Sequence, residues 1–154
     1  MPVTPEEKMA SLGLTITAVV PTNAPLVPWV QTGNLLYMSG RTPDRSGKKW
    51  QGQLGTDYTT AEGKEAAREV AWSQLCAAKS ALGELSRVKR VVKVLGMVNS
   101  APGFSEQPQV INGFSELLVE VFGEAGRHAR SAVGMAGLPG NAPVEVEVIF
   151  EIEA

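Results

Sequence analysis

The chain is poor in the residues that most often carry chemistry. One cysteine, Cys76, and one histidine, His128, occur in 154 residues. A single cysteine cannot build a disulfide framework or a paired-cysteine metal site within the chain, and a reducing compartment is expected. One imidazole excludes a zinc site of two or three histidines in one protomer, so His128 is expected to be a solvent-facing loop residue ahead of a strand. Aromatic residues are 6% of the chain and the formal net charge is -2. With no global positive field to gather phosphates, nucleic acid is not an expected partner. Apolar runs fall well short of the roughly 20 residues of a membrane span, and the acidic start lacks the order of a signal peptide. A soluble, unprocessed, cytoplasmic protein without a membrane partner is expected.

What is present fits one globular domain over residues 1–154, with 44% hydrophobic and 19% charged residues. Residues 1–13 read as an N-terminal helical extension: Thr4 caps, Pro5 opens, Glu7 completes a capping box and Gly13 stops it. "LTITAVVP" alternates and predicts a strand ending at Pro21. "WVQTGNLLYMSG" predicts a hairpin turning at Thr32-Gly33-Asn34, its second arm a buried strand running into Gly40. "RTPDRSGKKWQGQLG" reads as a polar loop; its glycines and lysines lack the spacing of a phosphate loop.

Two helices follow the clearest patterns. Thr59 and Glu62 form a capping box before Ala67, Ala71, Leu75, Ala78 and Leu82, and Gly83 ends the run. From Pro108, the residues Val110, Phe114, Leu117, Leu118 and Val121 mark the second, ended at Gly123. Between them, valine-rich "RVKRVVKVLGMVNS" predicts a strand whose Arg87, Lys89, Arg90 and Lys93 mark its start and solvated face. "ARSAVGMAG" and "PVEVEVIFEIEA" predict two more. The sum is an α+β domain, a mixed β-sheet with two long helices packed on one face.

No G-x-S-x-G elbow is present, and Cys76 has no histidine placed to activate it, which disfavours covalent catalysis. The charged residues that stand out are Arg130, at the mouth of a short apolar run, and Glu145, which alternates with valines in the last strand. Asn112 on the second helix is a polar neighbour. As residues alone they admit two readings, a structural ion pair at strand ends or a site. Asn112 alone reads equally as a surface amide, and Trp29 as core or as a hydrophobic wall.

"ARSAVGMAGLPGNAPVEVEV" resembles the C-terminal signature of the Rid (YjgF) family of enamine and imine deaminases: an arginine-serine pair, an alternating strand, a leucine-proline turn and a strand with alternating glutamates. "VPWVQTGNLLYMSG" resembles that family's N-terminal block, and the similarity runs from about Val27 to the C-terminus. The resemblance implies a chorismate-mutase-like fold and a homotrimer with clefts between subunits. It implies a hydrolytic deaminase of small enamine or imine carboxylic acids that releases a 2-oxo acid and ammonia without metal or cofactor. By position, Arg130 would hold the substrate carboxylate and Glu145 would orient the water. Asn112, Gly40 and Trp29 would line the cleft, Trp29 in place of a tyrosine. Ala132 stands where the family often has cysteine, and with an insertion around "SEQPQ" marks a divergent branch. The alternative function is a non-catalytic module that binds or senses a small carboxylate in the same cleft. A label of RNA-cleaving translation inhibitor also attaches to the family; the acidic composition and single histidine argue against it.

Overall fold

A computed structural model describes residues 2–153. Helix α1 (Pro5–Ser11) has both capping-box bonds between Thr4 and Glu7, and buries Met9. Strands β1 (Trp29–Thr32) and β2 (Leu35–Met38) form the hairpin, with Thr32 opposite Leu35. Gly33 takes a positive φ of 58° at the first turn position, a conformation open to glycine at little cost. Helix α2 (Thr60–Leu82) has its capping box on Thr59 and Glu62 and stops at Gly83. Strand β3 (Val88–Asn99), helix α3 (Gln107–Phe122), strand β4 (Ala129–Met135) and strand β5 (Val144–Ile152) complete the chain.

The five strands make one mixed sheet in the order β1-β2-β5-β3-β4. Pairing is antiparallel except between β3 and β4, which run parallel and are joined through α3, as a parallel pair requires. Val144, Val146, Val148, Phe150 and Ile152 alternate onto the buried face of β5. In β3 the buried Val88, Val91 and Val94 are three residues apart, a spacing foreign to a flat strand. Two register shifts against β5, at Val88/Arg90 and Val91/Lys93, each insert a residue and return the next valine to the core. Lys89, Arg90 and Lys93 are exposed on that strand.

Helix α2 is buried on most of its circumference. It packs on α3 without a gap, since a Cβ at Gly113 would overlap the Lys64 carbonyl. Leu75, Phe114, Leu117, Leu118 and Phe150 are fully buried between the helices and the sheet. No helix among the described residues is long and apolar enough to cross a membrane.

Two sequence expectations fail here. "LTITAVVP" is not a strand. Its alternation is real, with Leu14, Ile16 and Val19 packed on the core, but its backbone is held by helix side chains instead of a ladder. Trp72 Nε1 donates to Thr15 O (2.7 Å) and Val19 N donates to Ser80 Oγ (2.8 Å), so the segment lies along α2. The arm "LLYMSG" is not buried throughout: Leu36 and Met38 face the core and Tyr37 is exposed.

Candidate functional site

The β3–α3–β4 unit sets Arg130 at the start of β4, opposite Val94 of β3, on the face covered by α3. On α3, Pro108, Asn112 and Ser115 recur at i, i+4 and i+7, one stripe of the helix, beside the apolar stripe that enters the core. Arg130 Nη1 donates to Asn112 Oδ1 (2.9 Å) and Ser115 Oγ (3.2 Å), and Nη2 donates to Pro108 O (3.4 Å). These partners are all neutral. The ion pairs among the described residues join Lys64 to Glu116, Arg68 to Glu120, Lys79 to Glu6 and Arg127 to Glu124, and none includes Arg130. Its Nε–H and its remaining Nη2–H have no protein partner among the described residues. Those hydrogens form one edge of the guanidinium fork, the geometry that takes a carboxylate through two parallel bonds. Burial pushes the Arg130 pKa down, though arginine stays charged at neutral pH. A shallow depression lined by Ser115, Val119, Arg127, His128 and Arg130 opens beside it.

His128 departs from its expected role as a solvent-facing loop residue. Its ring is half-buried, with Nδ1 2.7 Å from Gly126 O and Nε2 2.8 Å from Ser115 Oγ. A carbonyl only accepts, so Nδ1 carries the proton. Burial, opposed by the Gly126 carbonyl and assisted by the Arg130 charge, lowers its pKa and favours the neutral ring. Ser115 therefore donates its hydroxyl proton to Nε2 while accepting from Arg130.

Glu145 occupies a different place. It is the second residue of β5, opposite Met97, on the sheet face away from the helices, next to Glu147 on the same side. Burial, and then the Glu147 charge, raise its pKa. Its Oε2 lies against the backbone of Gly40, and the two line a second depression with Arg41, Thr42, Asp44 and Pro139. Arg41 exchanges two backbone hydrogen bonds with Val146 (3.2 and 3.1 Å), which ties the end of β2 to β5 beside the glutamate.

The sequence-predicted residues thus fall into two groups within one protomer, Arg130 with Asn112 and Glu145 with Gly40. Trp29 joins neither lining; it pairs with Met38 in β1 and packs against the core. Arg130 and Glu145 are not on neighbouring strands, because β3 runs between β4 and β5. Two strand spacings across and three residues along separate their backbones by roughly 14 Å, and their side chains leave opposite faces. The internal ion pair does not form. Among the described residues no three His, Cys, Asp or Glu side chains converge as metal ligands.

Sequence reasoning missed Ser115 and His128. The signal available was the polar i, i+4, i+7 stripe at the start of an otherwise apolar helix; the register that brings it to Arg130 is a tertiary fact.

Residues 6–152 match the family described as "YjgF/chorismate mutase-like, putative endoribonuclease". The chain belongs to this family. It is 46% identical over 143 residues to Protein TCP17 of Trypanosoma cruzi, covering 92% of this chain and 89% of the relative. The crystal structure of Atu1372 from Agrobacterium tumefaciens, a protein of unknown function, superposes with a TM-score of 0.89 at 47% identity, covering 97% of this chain and 92% of that one. RidA from an Antarctic Psychrobacter superposes with a TM-score of 0.59 at 26% identity, over 90% and 96% of the two chains. The α+β, chorismate-mutase-like fold and the Rid/YjgF membership expected from the sequence are therefore shown, and RidA itself is the more distant of these structures.

Proposed function

We propose that this Rid-family chain is a hydrolytic deaminase of small enamine and imine carboxylic acids, releasing a 2-oxo acid and ammonia. The observation that carries the reading is Arg130: a half-buried guanidinium held by three neutral acceptors, with no carboxylate of its own protein, one bidentate edge without a protein acceptor among the described residues, and a depression beside it. A structural arginine at that depth would be expected to meet an acidic partner.

In the reaction, Arg130 fixes the substrate carboxylate and gives no proton. An enamine first takes a proton from solvent on carbon to become the iminium. Water then attacks the imine carbon: a C–O bond forms, the C=N π pair moves to nitrogen, and Glu145 takes the water proton. Glu145 returns that proton to nitrogen; the C–N bond then breaks with its pair leaving on ammonia while an oxygen lone pair forms the C=O bond, and the hydroxyl proton passes back to Glu145. A carboxyl raised by burial and by Glu147 is suited to both transfers.

The carboxylate and the reacting carbon of such a substrate are adjacent atoms, whereas Arg130 and Glu145 of one protomer lie roughly 14 Å apart on opposite faces. The working cleft in this reading therefore takes Arg130 from one protomer and Glu145 with Gly40 from another, an arrangement that the homotrimer implied by the family resemblance would supply.

The test is Arg130→Ala. The variant should fold and assemble like the parent and lose acceleration of ammonia release from freshly generated 2-iminopropanoate. Unchanged turnover would end the reading. One feature favours a second reading, a non-catalytic carboxylate-binding module: Ala132 puts an inert methyl two residues beyond Arg130, where Rid relatives often carry a thiol. Calorimetry with 2-oxo acids set against imine turnover separates the two, since a module would bind and not turn over.

A further inference from the structure

The hydrogen bonds beyond Arg130 have a direction. Nη1 donates to Ser115 Oγ (3.2 Å), Ser115 donates to His128 Nε2 (2.8 Å), and His128 Nδ1 donates to Gly126 O (2.7 Å). With the ring neutral, each step follows from the one after it. The carbonyl accepts only, so Nδ1 carries a proton; in the neutral ring, which burial and the Arg130 charge favour, Nε2 is then bare and draws the serine proton, and the serine oxygen keeps its lone pairs toward the guanidinium, which can only donate. A helical serine without such an acceptor tends to return its proton to the carbonyl one turn back. Bonds arranged head to tail in a partly buried place also strengthen one another.

We propose that His128, acting through Ser115, is a positioning residue that fixes which edge of the Arg130 guanidinium faces an incoming carboxylate. With both Nη1 hydrogens engaged, by Asn112 and by Ser115, the head cannot turn about its stem without breaking two bonds, and the Nε/Nη2 edge is left to meet a ligand. Without the Ser115 anchor the fork can swing, and the bidentate grip must be organised at the moment of binding. His128 itself touches no substrate atom in this scheme and moves no proton in the reaction. The inference rests on the carboxylate reading of Arg130 given above.

The test uses pyruvate as the probe, with binding measured by calorimetry on the assembled protein and turnover measured as ammonia release from 2-iminopropanoate. Ser115→Ala and His128→Ala should each weaken pyruvate binding about tenfold, the loss of one charge-assisted hydrogen bond. The double variant should bind no more weakly than either single one, because both remove the same link. KM should rise with little change in kcat, and Ser115→Thr, which keeps the hydroxyl, should restore the parental value. If His128→Ala does not fold, as judged by its melting curve, Ser115→Ala and Ser115→Thr carry the comparison. Parental pyruvate affinity in Ser115→Ala, a multiplicative loss in the double variant, or a fall in kcat at constant KM would each overturn the inference while leaving the deaminase reading intact. Failure of the parent to bind pyruvate at millimolar concentration would overturn the inference, and unchanged turnover in Arg130→Ala would overturn both.

Discussion

The carboxylate of Glu145 lies against the backbone of Gly40, so closely that a methyl group at that glycine would occupy the space of Oε2. Gly40 does not have a positive φ; it is glycine for room. The end of β2 and the start of β5 meet there, pinned by the two backbone bonds between Arg41 and Val146.

Gly40→Ala should therefore displace the Glu145 side chain. The backbone can accept alanine, so the cost in stability is expected to stay within about 1–3 kcal/mol, the range for overpacking. The cost in chemistry is expected to be larger. A shift of about 1 Å in a proton-transferring group is enough to lower kcat about a hundredfold. Steady-state kinetics with 2-iminopropanoate checks this, and a parental kcat would show that Glu145 does not need its seat on Gly40.

Glu145→Gln separates function from stability by pH. The Glu145 pKa is raised in the folded protein, first by burial and then by Glu147. Between the ordinary carboxylate value and the raised one, the native state holds more proton than the unfolded chain, so stability falls as pH rises through that window. The ionised group thus costs stability at neutral pH, and glutamine removes the cost. The variant should melt higher than the parent at pH 7, with the gap closing in acid below the ordinary carboxylate range. Its turnover should fall about 10²–10⁴-fold, the scale of a lost general base. Melting curves across pH, paired with rates, read both effects.

Much of the fold was legible because its signals are local. The capping boxes on Thr4 and Thr59, and Gly83 as a stop, place α1 and α2 almost to the residue. The segment "LTITAVVP" misled because alternation reports one buried side, not what covers it. Here a helix takes the place of a neighbouring strand, and Trp72 and Ser80 supply the bonds a ladder would have made. The site was legible in part. Arg130 and Glu145 stand out as charges in apolar strands, but nothing in their spacing shows that β3 comes between them. His128 and Ser115, 13 residues apart, meet only because the parallel β3–β4 pairing sets β4 under α3, and that pairing is a long-range fact.

The packing of α3 on α2 makes its own prediction. Gly113 faces the Lys64 carbonyl with no room for a side chain, and Asn112, one residue earlier, accepts from Arg130. Gly113→Ala must push the helices apart or tilt α3, at about 1–3 kcal/mol. Because α3 carries Pro108, Asn112 and Ser115, the same variant should weaken pyruvate binding. A variant that loses stability but keeps parental affinity would show that the α3 stripe moves with Arg130 as a unit.

Gln74 supports the other half of the site. It is fully buried on α2, and its Nε2 donates to Ser39 O and to Val146 O, both at 2.9 Å. Those carbonyls belong to the residues next to Gly40 and Glu145, at the point where the β2–β5 ladder has ended at Tyr37 and Ile149. The amide thus closes a gap in the sheet that the backbone leaves open. Gln74→Leu keeps the bulk and removes both donors. Val146 O retains a bond from Arg41 N (3.2 Å), so the loss falls mainly on Ser39 O, and about 1–3 kcal/mol of destabilisation is expected from a buried carbonyl left without its partner. Arg130 lies across the sheet from this point, so affinity for pyruvate should change little while kcat falls with the loosened seat of Glu145. Gln74→Glu should be worse than Gln74→Leu, since an ionised carboxylate would face two carbonyl oxygens with no proton to offer. Denaturant melts of the two variants, read with kcat and pyruvate affinity, check that order. A glutamate variant as stable as the leucine one would show that the amide donates nothing the sheet requires.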